Sequence, residues 1–320
     1  MTVADLGEFG FIAAITAGLP RGQAAIVGIG DDAAVLAAPD RRVVATMDLL
    51  VEGRHFRRDW SSPADIGGKA AAQNLADVAA MGAVPTALLV GLAAPGDLPV
   101  RWAEELVSGM VRECERTGAM VAGGDVSSAD VVMLAVTALG DLAGRDPVTR
   151  AGARPGDLVA VAGTLGRSAA GLALLAAGRA GPAALVAAHR WPHPPYDAGP
   201  EAAELGATAM IDVSDGLVAD LGHVAAASGV SIGVDTGLLL AGAAAGPGGA
   251  DLRAAAAALG GADPLRWLLT GGEDHALAAT FPPDTVLPDR WAVIGRAAPG
   301  TGITVDGRPY HDAGGWNHFR

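Results

Sequence analysis

Apolar residues recur along this chain in two rhythms, and the places where a carboxylate interrupts them carry most of the information. Phe9 to Ala17 has the spacing of a short amphipathic helix, closed by a Pro20-Arg21-Gly22 turn. Arg42 to Val51 (RVVATMDLLV) is β-branched and apolar enough for a buried strand, broken only by Asp48. Ser62-Pro63-Ala64-Asp65 opens a helix with a capping serine, an early proline and an acid three residues on. That helix is expected to reach Met81 and stop at Gly82. Lys69, Gln73 and Asp77 share one of its faces by four-residue spacing. Lys69 and Gln73 are expected to be solvated there, whereas Asp77 sits among Ala76, Val78, Ala79 and Ala80.

Pro85 to Leu92 predicts a strand, and Val100 to Thr117 an exposed helix with Glu104, Glu105, Arg112, Glu113 and Arg116 outward. Ala119 to Ala122 predicts a short strand running into a Gly123-Gly124-Asp125 turn, and Val131 to Leu139 a further strand. Loop-rich Gly140 to Arg154 holds the expected domain boundary, giving domains 1–145 and 146–320. In the second, Leu158 to Ala162 predicts a strand and Ser168 to Ala177 a helix. Ala209 to Asp212 predicts a strand ending in Val213-Ser214-Asp215-Gly216, followed by a helix to about Ser228. Gly242 to Ala250 has the composition of a loop, and Thr270-Gly271-Gly272-Glu273-Asp274 precedes a strand from Ala276 to Phe281. Trp291 to Gly295 and Gly302 to Pro309 are expected to close the fold as strands or a hairpin.

Composition narrows what those elements do. With 320 residues, 51% apolar and 18% charged, the chain has material for two cored α/β domains. A net charge of −13 disfavours nucleic-acid and anionic-membrane partners, which need basic surfaces. Cys114 is the single cysteine, so an intrachain disulfide and a cysteine-based zinc site are excluded, and a cytoplasmic location fits. Asp5 and Glu8 sit where a signal peptide would be basic and then apolar. Val78 to Gly96 is uncharged but is interrupted by Gly82, Pro85, Gly91 and Pro95, so it is no convincing membrane span. Lys69 is the only lysine, and Gly67-Gly68-Lys69-Ala70 lacks both the upstream glycine and the following hydroxyl of a phosphate loop. If a nucleotide is bound, metals and arginines must do most of what a loop lysine does elsewhere.

The chemistry is concentrated at glycine–aspartate junctions. Gly28-Ile29-Gly30-Asp31-Asp32 follows an apolar run, and two adjacent carboxylates beside flexible backbone suit a divalent cation next to a phosphate chain. Asp48, Asp77, Asp125, Asp212 and Asp215 occupy related settings and are expected to converge on one multi-Mg²⁺ nucleotide site. An aspartate at a strand end also caps turns, and Ser214 or Asp215 also suits a helix cap, so local sequence leaves both roles open. Gly28-x-Gly30-x-x-Ala33 imitates a dinucleotide fingerprint, but Ala33 to Asp40 is too short for the crossover helix such a motif needs. No GxSxG elbow is present. A non-catalytic binding protein would leave the repeated junctions without a purpose.

The segments GIGDDAAV, TMDLLVEGRHF, NLADVAAMGA, GGDVS, DVSDGL, GGEDHAL and the WNHF tail together resemble the thiamine-monophosphate kinase family, in order, from about Gly28 to the C-terminus. The resemblance implies the two-domain fold of aminoimidazole-ribonucleotide synthetase and its relatives, with N-terminal domains pairing into a β-barrel-like interface of a homodimer. It implies ATP and thiamine phosphate as substrates, thiamine diphosphate as product, and several Mg²⁺ ions. Carried over, Asp32, Thr46, Met47 (through its carbonyl), Asp48, Asp77, Asp125, Asp212 and Asp215 hold metal, with Asp48, Asp77, Asp125 and Asp212 central to catalysis. Gly124, Asp125, Arg150 and Ser214 contact ATP, while His55, Glu273 and Trp316 line the thiamine-phosphate side. Met47 stands where relatives commonly carry a small hydroxyl residue, a change that a backbone ligand survives. Selenophosphate synthetase is disfavoured because its reactive Cys and Lys near the N-terminus are lacking. An aminoimidazole-ribonucleotide synthetase-like enzyme is the closer competitor, set aside on the GRHF and GGEDHAL segments and the aromatic tail.

Overall fold

The capping box written at Ser62 and Asp65 forms in both directions: Ser62 N donates to Asp65 Oδ2 at 2.9 Å, and Asp65 N to Ser62 Oγ at 3.2 Å. The computed structural model describes residues 1–20, 24–27, 29, 33–244 and 247–310. It divides into two units, Met1–Val78 with Ala83–Gly144, and Ala79–Gly82 with Arg145–Arg320.

In the first unit, α1 (Val3–Thr16) precedes a small hairpin of β1 (Ala25–Val27) and β2 (Val35–Leu36). Then come β3 (Val44–Val51), α2 (Pro63–Ala80), β4 (Val84–Ala94), α3 (Val100–Glu115), β5 (Met120–Ser128) and β6 (Met133–Asp141). The sheet order is β3-β6-β4-β5, with β4 and β5 parallel and the other pairs antiparallel. A parallel pair needs a long crossover, which α3 supplies. The helices α2 and α3 approach so closely that a Cβ on Gly67 would overlap the Leu106 carbonyl, and one on Gly109 the Ala64 carbonyl. Leu50, Ile66, Leu75, Leu88, Leu106, Met110 and Leu134 are buried in this unit. On β3 the burial alternates, with Thr46, Asp48 and Leu50 inward and Met47 and Leu49 exposed.

Several expectations change here. The first helix begins at Val3, where Thr2 and Asp5 cap it, and it is broken at Gly7 (φ +66). The Gly123-Gly124-Asp125 segment is no turn: it continues β5, because the ladder to β4 supplies partners for its backbone. Lys69 is buried (2% exposed) and donates from Nζ to the His55 carbonyl at 3.2 Å, while Gln73 is half-buried; residues 66–80 are all buried or half-buried, so the helix has no solvated stripe there. Glu113 points inward, its charge met by Arg116.

The second unit runs β7 (Leu158–Ala162), α4 (Arg167–Ala176), α5 (Ala183–Arg190), α6 (Ala198–Glu204), β8 (Ala209–Val213), α7 (Leu217–Ser228) and β9 (Ser231–Val234). It continues with α8 (Thr236–Ala244), α9 (Pro247–Ala258), α10 (Pro264–Thr270), β10 (Ala276–Phe281), β11 (Trp291–Ala298), β12 (Gly302–Val305) and β13 (Arg308–Pro309). Its seven-stranded sheet has the order β13-β12-β9-β11-β7-β10-β8. Every residue of β7, β8 and β10 is buried, which explains their nearly unbroken apolar sequences. The stretch read as a Gly/Ala loop instead ends α8 and begins α9, with residues 245 and 246 outside the described set. The result is a mixed α/β protein whose four-stranded sheet is open in the single chain. Among the described residues, no helix is long and apolar enough to cross a membrane.

Candidate active site

In the first unit the site is built where β3 meets α2. Thr46 Oγ1 donates to Asp77 Oδ2 at 2.8 Å, and Asp48 N donates to Asn74 Oδ1 at 3.0 Å. Gln73 Nε2 donates to Asp48 Oδ2 at 3.1 Å, and Asn74 Nδ2 is itself tied to the Ala70 carbonyl at 2.9 Å. Thr46 and Asp48 share a strand face, and Gln73, Asn74 and Asp77 share a helix face, so the two periodicities bring five polar side chains together. Gln73 and Asn74 are the contributors that sequence reasoning did not assign. The i, i+3 spacing of Asn74 and Asp77 was the available signal. The donor set is oxygen, the kind a hard cation such as Mg²⁺ prefers.

Asp125 is placed differently. Asp48, Val136, Val90 and Gly124 form one row across the sheet, and Asp125 falls in the next row, beside Gly91 and Ala135. It therefore sits on the alternate face, with three strand spacings, about 14 Å, between its strand and that of Asp48. Gly124 is required where it stands, since a Cβ there would overlap the Val90 carbonyl. The Met47 side chain is exposed and its backbone pairs with Thr137. His55 lies in the turn after β3, where its Nδ1 accepts from Val51 N at 3.0 Å. Asp32 and Trp316 lie outside the described residues. Among those described, no three His, Cys, Asp or Glu side chains are gathered tightly enough to hold a metal ion.

In the second unit the site forms at one end of the sheet, where β8 ends and β10 begins. The turns 212–216 and 270–275 pack backbone to backbone: a Cβ on Gly216 would lie 2.7 Å from the Thr270 carbonyl oxygen, and one on Gly272 would overlap that of Ser214. Glu273 N donates to the Ser214 carbonyl at 2.8 Å and His275 N to that of Val213 at 3.0 Å. Glu273 (φ +63) and His275 (φ +52) both hold the left-handed conformation that side chains other than glycine seldom adopt, and such strain gathers at functional sites.

The side chains of this loop are tied to three different elements. Glu273 Oε2 lies 3.3 Å from His189 Nδ1, which is also 3.0 Å from Ser168 Oγ. Asp274 Oδ1 accepts from the backbone N–H groups of Arg167 and Ser168 at 3.1 and 3.2 Å, capping α4, while its buried Oδ2 has no hydrogen-bond partner. Burial pushes the Asp274 carboxyl up to about 7, against the pull of those two N–H groups. His275 Nδ1 lies 3.1 Å from Asp212 Oδ2, both residues being buried. Beneath the 212–216 turn, Asp220 Oδ2 accepts from Asp215 N and Gly216 N, each at 3.0 Å. Burial first, and then the charge of Asp212, pushes the Asp220 carboxyl up to about 7. Arg150 is exposed, and its carbonyl accepts from Ser228 Oγ at 3.1 Å. Asp220, His275, His189 and Ser168 went unassigned by sequence because their partners are distant in the chain or are backbone groups.

This architecture defines a class first: the AIR synthase related protein N-terminal domain matches residues 30–142. The thiamine-monophosphate kinase of Mycobacterium tuberculosis is 48% identical over 99% of this chain and 93% of its own length. A solved structure of AaThiL complexed with AMPPCP and TMP is similar at a TM-score of 0.79 and 35% identity, covering 100% of this chain and 99% of that one. The thiamine-monophosphate kinase of Stenotrophomonas maltophilia K279a is similar at a TM-score of 0.78 and 33% identity, covering 94% and 95%. The chain belongs to the thiamine-monophosphate kinase family.

Proposed function

We propose that this chain transfers the terminal phosphoryl group of ATP to thiamine phosphate, giving ADP and thiamine diphosphate. The observation that carries the reading is full-length similarity to relatives of that name, one of them solved with AMPPCP and TMP. A phosphate oxygen of thiamine phosphate attacks the γ-phosphorus in line, and the bond to the β,γ-bridging oxygen breaks. The acceptor's second pKa is about 6, so it is already largely ionised at neutral pH and needs no general base. The obstacle is repulsion between two anions.

Thr46, Asp48 and Asp77 in the first unit and Asp212 and Asp215 in the second are the described side chains that would hold Mg²⁺. Asp32 and the Met47 carbonyl are assigned the same role, and Asp125, on the alternate face of the sheet, is assigned to hold metal apart from Asp48. Bound Mg²⁺ ions supply charge neutralisation between the phosphate chains. Gln73 and Asn74 keep Asp48 in place, and Thr46 does the same for Asp77. Gly124, Asp125, Arg150 and Ser214 are assigned to ATP, with Arg150 meeting phosphate charge. His55, Glu273 and Trp316 are assigned to thiamine phosphate.

Met47, Leu49 and Leu89 are exposed on the sheet of the first unit, and the chain is proposed to cover them by pairing with a second copy. A cytoplasmic location accords with these soluble substrates. The deciding assay incubates the protein with ATP, Mg²⁺ and thiamine phosphate and reads thiamine diphosphate by chromatography. A folded preparation that forms no thiamine diphosphate overturns the reading.

A further inference from the structure

We propose that His275 is a positioning residue that fixes the orientation of the Asp212 carboxylate, by holding Oδ2 from Nδ1 so that the other oxygen is presented to a divalent cation. The inference rests on the assignment of Asp212 as a metal ligand and adds to it a residue that no sequence motif assigned. With its proton on Nδ1, His275 donates to Asp212 Oδ2 across the 3.1 Å contact. Both side chains are buried, which leaves water little opportunity to substitute for either partner.

The backbone is committed to the same purpose. His275 N donates to the carbonyl of Val213, the neighbour of Asp212, so main chain and side chain grip the end of β8 together. Residue 275 sits at φ +52, an uncommon conformation held in place by the Asp274 cap on α4 one residue earlier. Metal-binding side chains are commonly oriented by such outer partners, and removing one typically weakens metal binding about 10- to 100-fold.

The test uses the full chain with Mn²⁺ as the probe, its binding followed by electron paramagnetic resonance in the presence of AMPPCP. His275→Gly removes the ring while suiting the left-handed backbone, and His275→Asn returns an amide N–H near the Nδ1 position in a residue that tolerates that backbone. The Gly variant is expected to lose about 10-fold in Mn²⁺ affinity, with kcat falling more than the KM for thiamine phosphate. The Asn variant is expected to recover most of both. A folded Gly variant with wild-type Mn²⁺ affinity, or an Asn variant no better than Gly, overturns the proposal. Asp212→Asn separates the two levels: weakened Mn²⁺ binding there with an unaffected Gly variant sinks the positioning role alone, whereas unaffected binding sinks the metal assignment and this inference with it. In the unmodified chain, the ¹⁵N shifts of His275 are expected to report a protonated Nδ1. A neutral ring carrying its proton on Nε2 overturns the proposal whatever the variants do.

Discussion

Replacing Gly216 by alanine tests the contact between the two turns that organise the second unit. Gly216 has φ +129 and ψ 143, close to a region that glycine alone visits freely, and holding a side chain there costs about 1–3 kcal/mol. The added Cβ would sit 2.7 Å from the Thr270 carbonyl oxygen, about 0.7 Å inside ordinary contact, and such overpacking costs about 1–3 kcal/mol more. A loss of about 2–6 kcal/mol corresponds to a melting temperature roughly 5–20 °C lower for a unit of this size. Relief requires the 212–216 and 270–275 turns to separate, which moves Ser214, Asp215 and Glu273. Displacements near 1 Å at a reacting centre cost about 100-fold in rate, so kcat is expected to fall about 10- to 100-fold. Calorimetry and a coupled ADP-release assay measure the two effects. Gly222→Ala, six residues on and inside α7, is the control: its nearest neighbour is Ile303 Cγ1 at 4.0 Å, so stability is expected to stay level or rise by about 0.4–1 kcal/mol with turnover unchanged. Wild-type melting and turnover in Gly216→Ala would refute the close-contact argument.

Asp77→Ala is expected to abolish turnover while the fold survives, and near-normal phosphoryl transfer in the folded variant would remove the metal assignment from Asp77. Asp274 carries a pH prediction. Its folded-state pKa is raised from 3.8 to about 7, so the native state holds the proton longer than the unfolded one. The associated stability is full below about pH 4, falls as pH rises towards 7, and amounts to about 4 kcal/mol across that window. Asp274→Asn should flatten this part of the stability–pH curve measured by urea unfolding, and an unchanged slope would contradict the buried-carboxyl reading. Trp316→Ala is expected to weaken thiamine phosphate more than ATP, by about 2- to 30-fold if a ring–cation contact of 0.5–2 kcal/mol is lost; equal losses in calorimetry would count against it. Leu49→Asp should convert a dimer to monomers in analytical ultracentrifugation, and a wild-type chain that is monomeric at micromolar concentration would contradict the pairing.

Much of the frame was legible because local signals agreed with tertiary need. Ser62, Asp65 and Gly82 bounded α2, and the apolar runs at Leu158–Ala162 and Ala276–Phe281 matched strands buried on both faces. The failures have a common physical source: partners far away in the chain. Gly123-Gly124-Asp125 has turn composition, yet a parallel ladder with β4 holds it extended. Lys69 and Glu113 carry charges that normally face water, and each is buried because it has a partner: the His55 carbonyl for Lys69 and Arg116 for Glu113. The candidate aspartates were visible from their apolar or glycine-rich settings. The groups that orient them, Gln73, Asn74, Asp220 and His275, were not, since nothing in a local window links His275 to a carboxylate 63 positions earlier.

The burial of Lys69 gives the chain an unusual chemical surface. With its single lysine sealed under the turn that follows β3, the native chain withholds its one side-chain amine from an acylating reagent. Labelling at Lys69 would then require α2 to come away from that turn. The rate of its acylation would serve as a clock for the opening of the helix that carries Asp77.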